Sequence, residues 1–293
     1  MKAAPFDYVR VSSIDEVCQV LADSGEEARI IAGGQTLVPL MAMRLARPSL
    51  LIDINDVSEL SGISVDGNDL VIKAGTRQAD ALASDIVKSN VPLLADALSH
   101  VGHTQTRNRG TVGGSLVNAD PSAEIPLIAQ TLDAVIVARS TRGDRTIPVN
   151  EFLESAMATT LAPDECLVEA HFPIWASKNT GFGFHEVSIR DSDFALAAAA
   201  AQVTLNRKGN CEKLNVAIGG ASPAALRLTI VEEELVGTDL GDDAIKAACA
   251  KIGDLIDPQA DVHADAAYRG RVAKVMAGRA ICDSRDRAKG VLQ

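Results

Sequence analysis

Aromatic side chains are scarce in this chain. They make up 3% of its 293 residues, with a single Trp. No row of rings is available for stacking nucleic-acid bases, and aliphatic residues and alanine must fill the core. Positive charge is also short: 28 Lys and Arg stand against 39 Asp and Glu, a formal net charge of −11. Such a surface repels phosphate backbones and anionic lipid, so neither nucleic acid nor a membrane is an expected partner. Long apolar runs are missing. The stretch from Phe194 to Ala201 is far too short to span a bilayer, and Met1 to Tyr8 lacks a signal-peptide core. The cysteines are Cys18, Cys166, Cys211, Cys249 and Cys282, scattered and never in C-x-x-C spacing. Neither disulfides nor a cysteine-bound metal or iron–sulfur cluster is expected on this chain, and a reducing cytoplasm fits.

Two motifs are absent as well. There is no G-x-G-x-x-G and no P-loop, so a dinucleotide bound here would not sit in the doubly wound nucleotide fold. No Ser-His-Asp or Cys-His set can be assembled either. Chemistry carried by a cofactor, with the protein supplying placement and electrostatics, is the better expectation.

What is present begins with two glycine pairs. One lies in Ile30-Ile31-Ala32-Gly33-Gly34-Gln35-Thr36-Leu37, the other in Arg109-Gly110-Thr111-Val112-Gly113-Gly114-Ser115-Leu116. Each is read as following an apolar strand. Glycine allows φ > 0 and close approach of the backbone to a ligand, and consecutive amides at such a turn cradle an anion. Two such turns suit a long ligand with a pyrophosphate in its middle. Thr36, Thr111 and Ser115 add hydroxyl donors. For an isolated pair a plain tight turn would be preferred, and that is the reading for Gly219-Gly220.

The hydrophobic 47% supports a packed core, and alternating strand and helix patterns imply α+β or α/β layers. Ser13 caps a helix over 14–23, with Glu16 at the capping-box position. Strands are expected over 28–32, 50–55, 69–74, 134–139 and 167–173, and helices over 37–45, 78–89 and 92–98. Residues 175–181 read as a linker. Beyond it, 182–187, 195–205 and 213–219 read as strands, with a helix possible in place of any one of them, since alanine-rich runs are ambiguous. Amphipathic helices are expected over 242–256 and 264–280.

Among polar candidates, Glu124 follows Asp120-Pro121-Ser122-Ala123 and is placed to accept hydrogen bonds from ribose hydroxyls, against a solvated loop acid as the plainer alternative. His100 and His103, three apart, could share a helical face and bind a metal, but no third ligand is near in sequence; a helix-end pair beside a ligand loop is favoured, and no metal site is assigned. His185 is a base candidate or cofactor neighbour, with a strand histidine equally favoured. Arg190 and Asp193 suggest a buried turn network.

Together these residues resemble the FAD-binding medium subunit of molybdenum hydroxylases, the group of carbon monoxide dehydrogenase, quinoline oxidoreductase and xanthine dehydrogenase. The resemblance runs from Ala32-Gly33-Gly34-Gln35-Thr36-Leu37-Val38-Pro39-Leu40 to Tyr268-Arg269. It is most specific in His100-Val101-Gly102-His103, Arg107-Asn108-Arg109-Gly110-Thr111-Val112-Gly113-Gly114-Ser115 and Asn118 to Glu124. It implies an α+β chain. Residues 1–176 would form a two-subdomain FAD-binding fold of vanillyl-alcohol oxidase (PCMH) type, divided into about 1–57 and 58–176. Residues 177–293 would form a small C-terminal α/β domain of the carbon monoxide dehydrogenase flavoprotein type.

Carried over by position, the resemblance implies that Ala32, Gly33, Gly34, Gln35, Thr36, Leu37, Thr111, Gly113, Gly114 and Ser115 hold the FAD pyrophosphate. Ala123 and Glu124 would meet ribose. Val101, Gly102, Leu167 and His185 would border the flavin or its adenosine end. Arg190 and Asp193 match an Arg…Gly-Asp-Phe/Tyr-Ala element, with Ser192 where Gly is frequent and Ile189 where Arg is frequent. Thr104 replaces a common Pro and Thr106 a common aliphatic residue, and FAD binding is expected to survive all of these. The implied function is electron transfer from a [2Fe–2S] small subunit to an external acceptor, beside a large subunit with the molybdenum cofactor. The expected assembly is a dimer of heterotrimers. The small subunit would hold two [2Fe–2S] clusters. Two other readings are a stand-alone FAD-dependent oxidase or dehydrogenase, with His185 as base, and a flavin-free scaffold subunit.

Overall fold

A computed structural model describes residues 2–290. The chain starts with β1 (Asp7–Arg10), α1 (Ile14–Ser24), β2 (Ala28–Ile31), α2 (Leu37–Ala42) and β3 (Leu50–Asp53). The three strands form a parallel sheet in the order β1-β3-β2. Helix α1 buries Ile14, Val17, Cys18 and Leu21, an i, i+3, i+4, i+7 stripe. Ser13 caps it, accepting from the Glu16 N–H at 3.2 Å. The Glu16 carboxylate reaches the Ser12 N–H at 2.7 Å rather than that of Ser13, so the expected capping box is displaced by one residue. Helix α2 stops earlier than expected. Arg44 turns to φ 61, and the N–H groups of Leu45 and Ala46 fold back on the Leu40 carbonyl.

The next stretch contains β4 (Ile63–Asp66), β5 (Asp69–Lys73), α3 (Gln78–Ala83), α4 (Asp85–Asn90), α5 (Pro92–His100), α6 (Thr104–Arg109), α7 (Val112–Asn118) and α8 (Glu124–Leu132). It continues through β6 (Val135–Ser140), β7 (Gly143–Pro148), α9 (Val149–Phe152), the small hairpin β8 (Leu153–Ser155) and β9 (Ala158–Thr159), and β10 (Cys166–Pro173). The five longer strands make an antiparallel sheet, β4-β5-β10-β6-β7. The single helix expected over 78–89 is broken at Ser84, which is extended (ψ 123) and caps α4. Helix α8 is buried in all nine residues. A helix covered on every side loses the amphipathic signal that marks surface helices.

The last part contains β11 (Thr180–Ser188), β12 (Ala195–Leu205), β13 (Cys211–Gly219), β14 (Leu226–Arg227), α10 (Thr229–Leu235), α11 (Asp242–Ala250) and α12 (Ala266–Ala288). Its four strands pair antiparallel in sequence order. The alanine run is a strand. Ala198 and Ala200 face the core shared with the preceding elements, while Ala197, Ala199, Ala201 and Val203 face a second core under α10 to α12. A strand buried on both faces has no polar alternation to show. Small side chains let α12 approach closely: a Cβ on Gly183 would strike the Ala280 carbonyl. Helix α12 is longer than the expected 264–280, capped by the Asp265 side chain, which accepts from the Tyr268 N–H at 2.6 Å. Helix α11 ends at Ala250 and tightens into a 3₁₀ turn, Lys251–Asp254, instead of reaching residue 256. The third glycine pair is a packed turn. Gly220 has φ +71 and donates to the Pro121 carbonyl at 2.7 Å, pinning this sheet to the loop before α8. Arg269, buried, donates to the carbonyls of Leu196 and Gly220 and pairs with Asp261 at 2.7 Å.

Candidate functional site

The two glycine segments meet. A Cβ on Gly33 would strike the Arg109 carbonyl and lie 2.9 Å from the Gly110 Cα, so only glycine fits. Gly33 follows β2, as expected. Gly34, at φ +71, then turns the chain into α2. Among the described residues, the main-chain N–H groups of Gly33, Gly34, Gln35, Thr36 and Leu37 donate to no protein acceptor. Leu37 is the first helical residue, so its N–H is among those a helix start leaves over. Between Glu27 and Asp53 the chain carries no carboxylate side chain. The segment therefore presents a run of N–H dipoles without an acidic neighbour in sequence, the geometry that attracts an anion.

The second pair corrects the expectation. It does not end a strand but lies within α7, just after Arg77 and Thr111 form an isolated bridge. Its amides are already used. Val112 donates to Thr76, Gly113 to Ala74, Gly114 to Thr111 Oγ1 and Ser115 to the Thr111 carbonyl. Gly113 is there for packing, since a Cβ would sit 2.6–2.7 Å from Ala74. What remains for a ligand is hydroxyl chemistry: Thr111 Oγ1 accepts at the cap and keeps its hydrogen free, and Ser115 is half-buried.

Around the end of α5 a second group gathers. Asp120 accepts from the Ser122 N–H at 2.9 Å and from the Ala123 N–H at 3.0 Å through its carbonyl, delivering Glu124 to the first position of α8. Glu124 is buried, at 8% exposure, not the solvated loop acid of the plainer reading. Burial, reinforced by the charges of Glu186 and Asp120 and opposed by His100, pushes its carboxyl up to about 7. Glu186, on β11, reaches His100 Nδ1 at 3.3 Å, and the bond to that carboxylate raises the His100 pKa. Phe184 lies against the same ring, centroids 4.9 Å apart. Glu186 Oε2 is buried with no hydrogen-bond partner among the described residues. Such an atom is costly unless something donates to it. Val101 and Gly102 follow His100, and Arg107 holds their carbonyls at 2.9 and 2.6 Å. Leu167 is buried on β10 beside a bulge.

Three polar expectations change. His100 ends α5, whereas His103 precedes α6, so they share no helical face. Among the described residues no cluster of three metal-ligating side chains occurs. His185 turns away from its neighbours Phe184 and Glu186 and places Nε2 2.9 Å from Asp283 on α12. That ring lies on the helix face of the sheet, on the side opposite Glu186, as the strand histidine of the plainer reading. Arg190 and Asp193 do pair, at 2.8 Å, but on the surface, with Arg190 80% exposed. Sequence reading missed Glu186, Asn55 and Arg77. Glu186 adjoins a residue it did single out, one strand position off.

The family comparisons agree with this geometry. Residues 4–175 match the FAD binding domain in molybdopterin dehydrogenase, and residues 182–283 match the CO dehydrogenase flavoprotein C-terminal domain. The chain belongs to the FAD-binding medium subunits of the molybdenum hydroxylases. Among medium subunits and their relatives, subunit alpha of the 6-hydroxypseudooxynicotine dehydrogenase complex of Paenarthrobacter nicotinovorans is 39% identical, covering 99% of this chain and 97% of that one. The carbon monoxide dehydrogenase medium chain of Hydrogenophaga pseudoflava is 33% identical over 94% and 96%. A solved chain of carbon monoxide dehydrogenase from that organism superposes with a TM-score of 0.95 over 98% and 99%, at 32% identity. A chain of quinoline 2-oxidoreductase from Pseudomonas putida 86 gives 0.93 over the full length of both, at 35% identity.

FAD is the cofactor of this family, and the residues present fit it. A diphosphate matches the five free amides, and hydroxyl donors match the unpartnered Glu186 Oε2 and the buried Glu124. The mixed α+β architecture is that of the medium subunits. No helix among the described residues is long and apolar enough to cross a membrane. Ser192, in the turn between β11 and β12, has φ 64. A left-handed serine is strained, so Ser192→Gly is expected to stabilise the chain by about 0.5–1 kcal/mol. Urea unfolding midpoints check this; a lower midpoint for the glycine variant would contradict it.

Proposed function

We propose that this chain is the FAD-carrying electron-transfer subunit of a heterotrimeric molybdenum hydroxylase, taking electrons from a [2Fe–2S] subunit and passing them to an external acceptor. The observation that carries the reading is the run of five free amides at Gly33–Leu37, locked against Arg109 and Gly110. In this reading Gly33, Gly34, Gln35, Thr36 and Leu37 bind the diphosphate through main-chain N–H groups, and Ala32 leads the chain into them. Thr111 and Ser115 add hydroxyls, while Gly113 and Gly114 let their segment pack. Ala123 and Glu124 receive ribose hydroxyls, with Glu186 Oε2 a second buried acceptor nearby. Val101, Gly102 and Leu167 border the flavin or the adenosine end. His185 supports the strand beside the site through Asp283.

Bound FAD supplies a two-electron carrier that can be emptied one electron at a time. The chain's own task is to hold that carrier fixed, screen it from water and leave one edge accessible. Residues 1–176 serve as the FAD-binding domain, in subdomains of about 1–57 and 58–176, and residues 177–293 as the C-terminal domain. The partners are a large subunit with the molybdenum cofactor and a small subunit with two [2Fe–2S] clusters, assembled in the cytoplasm as a dimer of heterotrimers. Substrate choice then belongs to the large subunit. A stand-alone oxidase would need a base over the flavin, and the candidate for it, His185, is tied to Asp283.

Purification of the tagged chain from its own cells, with metal analysis, tests the assembly. Two co-purifying subunits, with iron and molybdenum, are expected. A chain that purifies alone and whose flavin is reduced directly by an organic substrate would overturn the reading.

A further inference from the structure

Arg77 stands just before α3, between the two glycine segments. One terminal nitrogen of its guanidinium donates to the Arg109 carbonyl at 2.5 Å, the other to Asn55 Oδ1 at 2.6 Å. The Asn55 amide nitrogen donates in turn to the Ala32 carbonyl at 3.0 Å. Asn55 itself is fixed. Its backbone N–H and its Nδ2 both donate to Asp53 Oδ1, and the Tyr8 hydroxyl holds the other Asp53 oxygen at 2.5 Å. A continuous relay thus runs from β1 through Asp53, Asn55 and Arg77 to the second glycine segment. From Asn55 and Arg77 it reaches the carbonyls immediately before Gly33 and Gly110. Ala32, Asn55, Arg77 and Thr111 also line one small cavity of ≈ 240 Å³.

The relay has a directional consequence. In a planar trans peptide the C=O of one residue and the N–H of the next point in opposite directions. Fixing the Ala32 oxygen on Asn55 therefore fixes the direction of the Gly33 N–H, the first of the five free amides. It also turns a carbonyl oxygen, which would repel an anion, away from the amide run. Arg suits the middle position because its planar fork reaches two acceptors at a set angle, and a lysine ammonium does not.

We infer that Arg77 and Asn55 are positioning residues for the cofactor diphosphate, aiming the Gly33–Leu37 amides without touching the phosphates themselves. The inference rests on the FAD reading above. Its test is a double-mutant cycle on the full chain, freed of FAD and titrated with FAD, using Asn55→Ala, Arg77→Met and both together, with Arg77→Lys as a fourth variant. Hydrogen exchange of residues 33–37 is compared with and without saturating FAD, since amides with no protein acceptor gain protection only from the ligand, and circular dichroism identifies any variant that fails to fold.

Each single change is expected to raise the FAD dissociation constant about tenfold, the scale of one lost hydrogen bond in a fixed network. The double variant should be no worse than the weaker single, because the two act in series. Arg77→Lys should not rescue, and the protection that saturating FAD confers on residues 33–37 should fall in every variant. An Asn55→Ala chain that binds FAD like the wild type, or losses that multiply in the double variant, would overturn the relay. If a direct charge on the phosphates were the role of Arg77, Arg77→Lys would retain affinity. A wild-type chain that takes up no FAD would instead sink the FAD reading itself, and the relay's role with it.

Discussion

Gly33→Ala is expected to give a folded chain that no longer keeps FAD. The added Cβ would strike the Arg109 carbonyl oxygen, a main-chain atom held by Arg77 and unable to swing aside as a side chain could. Relief requires the two glycine segments to separate. Separation removes the five amides from their shared geometry with Thr111 and Ser115. Forcing a methyl into a packed site costs on the order of 1–3 kcal/mol. Because the strain falls on the site, most of it should appear as lost affinity, roughly 10- to 100-fold. Absorbance at flavin and protein wavelengths gives the FAD content, and circular dichroism reports the fold. Full FAD occupancy in the alanine variant would mean that the contact does not shape the site. The same substitution at Gly114 is milder, since its Cβ would meet the Thr111 hydroxyl, a side-chain atom.

The second large effect is a pH dependence centred on Glu124. Its carboxyl is pushed from 4.5 to about 7 in the folded chain. A carboxyl raised on folding holds its proton in the native state. Its contribution to stability is fully present below pH 4.5 and is lost as pH rises towards 7, with no further change above that. Glu124→Gln keeps the shape and removes the titration. In FAD-free protein the variant should therefore gain on the wild type between pH 5 and 8, by up to about 3 kcal/mol. His100, whose pKa is raised by Glu186, shifts stability in the same direction but is present in both proteins. Ribose hydroxyls would donate to the ionised form, so FAD binding should release a proton in this window. The variant should then bind FAD more weakly at pH 8 than the wild type and similarly at pH 5. Urea midpoints and calorimetric titrations in buffers of different ionisation enthalpy check both. A stability difference that is flat with pH would contradict the buried-acid account.

The first glycine turn was legible because its parts are local: an apolar strand, two small residues and a helix start follow each other in sequence. The second was misread as a turn. Gly113 packs against Ala74, just past β5 and far away in sequence, while Gly114 faces Thr111, and no local pattern distinguishes packing from anion binding. Strand β12 stayed ambiguous for a physical reason. Burial on both faces removes alternation, and alanine favours helices wherever tertiary packing does not intervene. At β11 the sequence drew notice to His185, yet Glu186 faces the site, since adjacent strand residues point to opposite sides of a sheet. Arg77 and Asn55 gave no signal at all. The acceptors that tie them to the glycine segments are main-chain carbonyls, which every residue carries, and only the fold says which ones they reach. The FAD-subunit resemblance, carried by the ordered motif around 100–124, survives these local errors because it does not depend on them.

The visible absorption spectrum of the purified chain, followed by heat release and chromatography of the chromophore, tests the central claim most directly. The account predicts flavin bands and FAD released near one per chain, either as purified or after incubation with FAD. A colourless chain that takes up no added FAD would contradict it and leave the Gly33–Leu37 amides as structure alone.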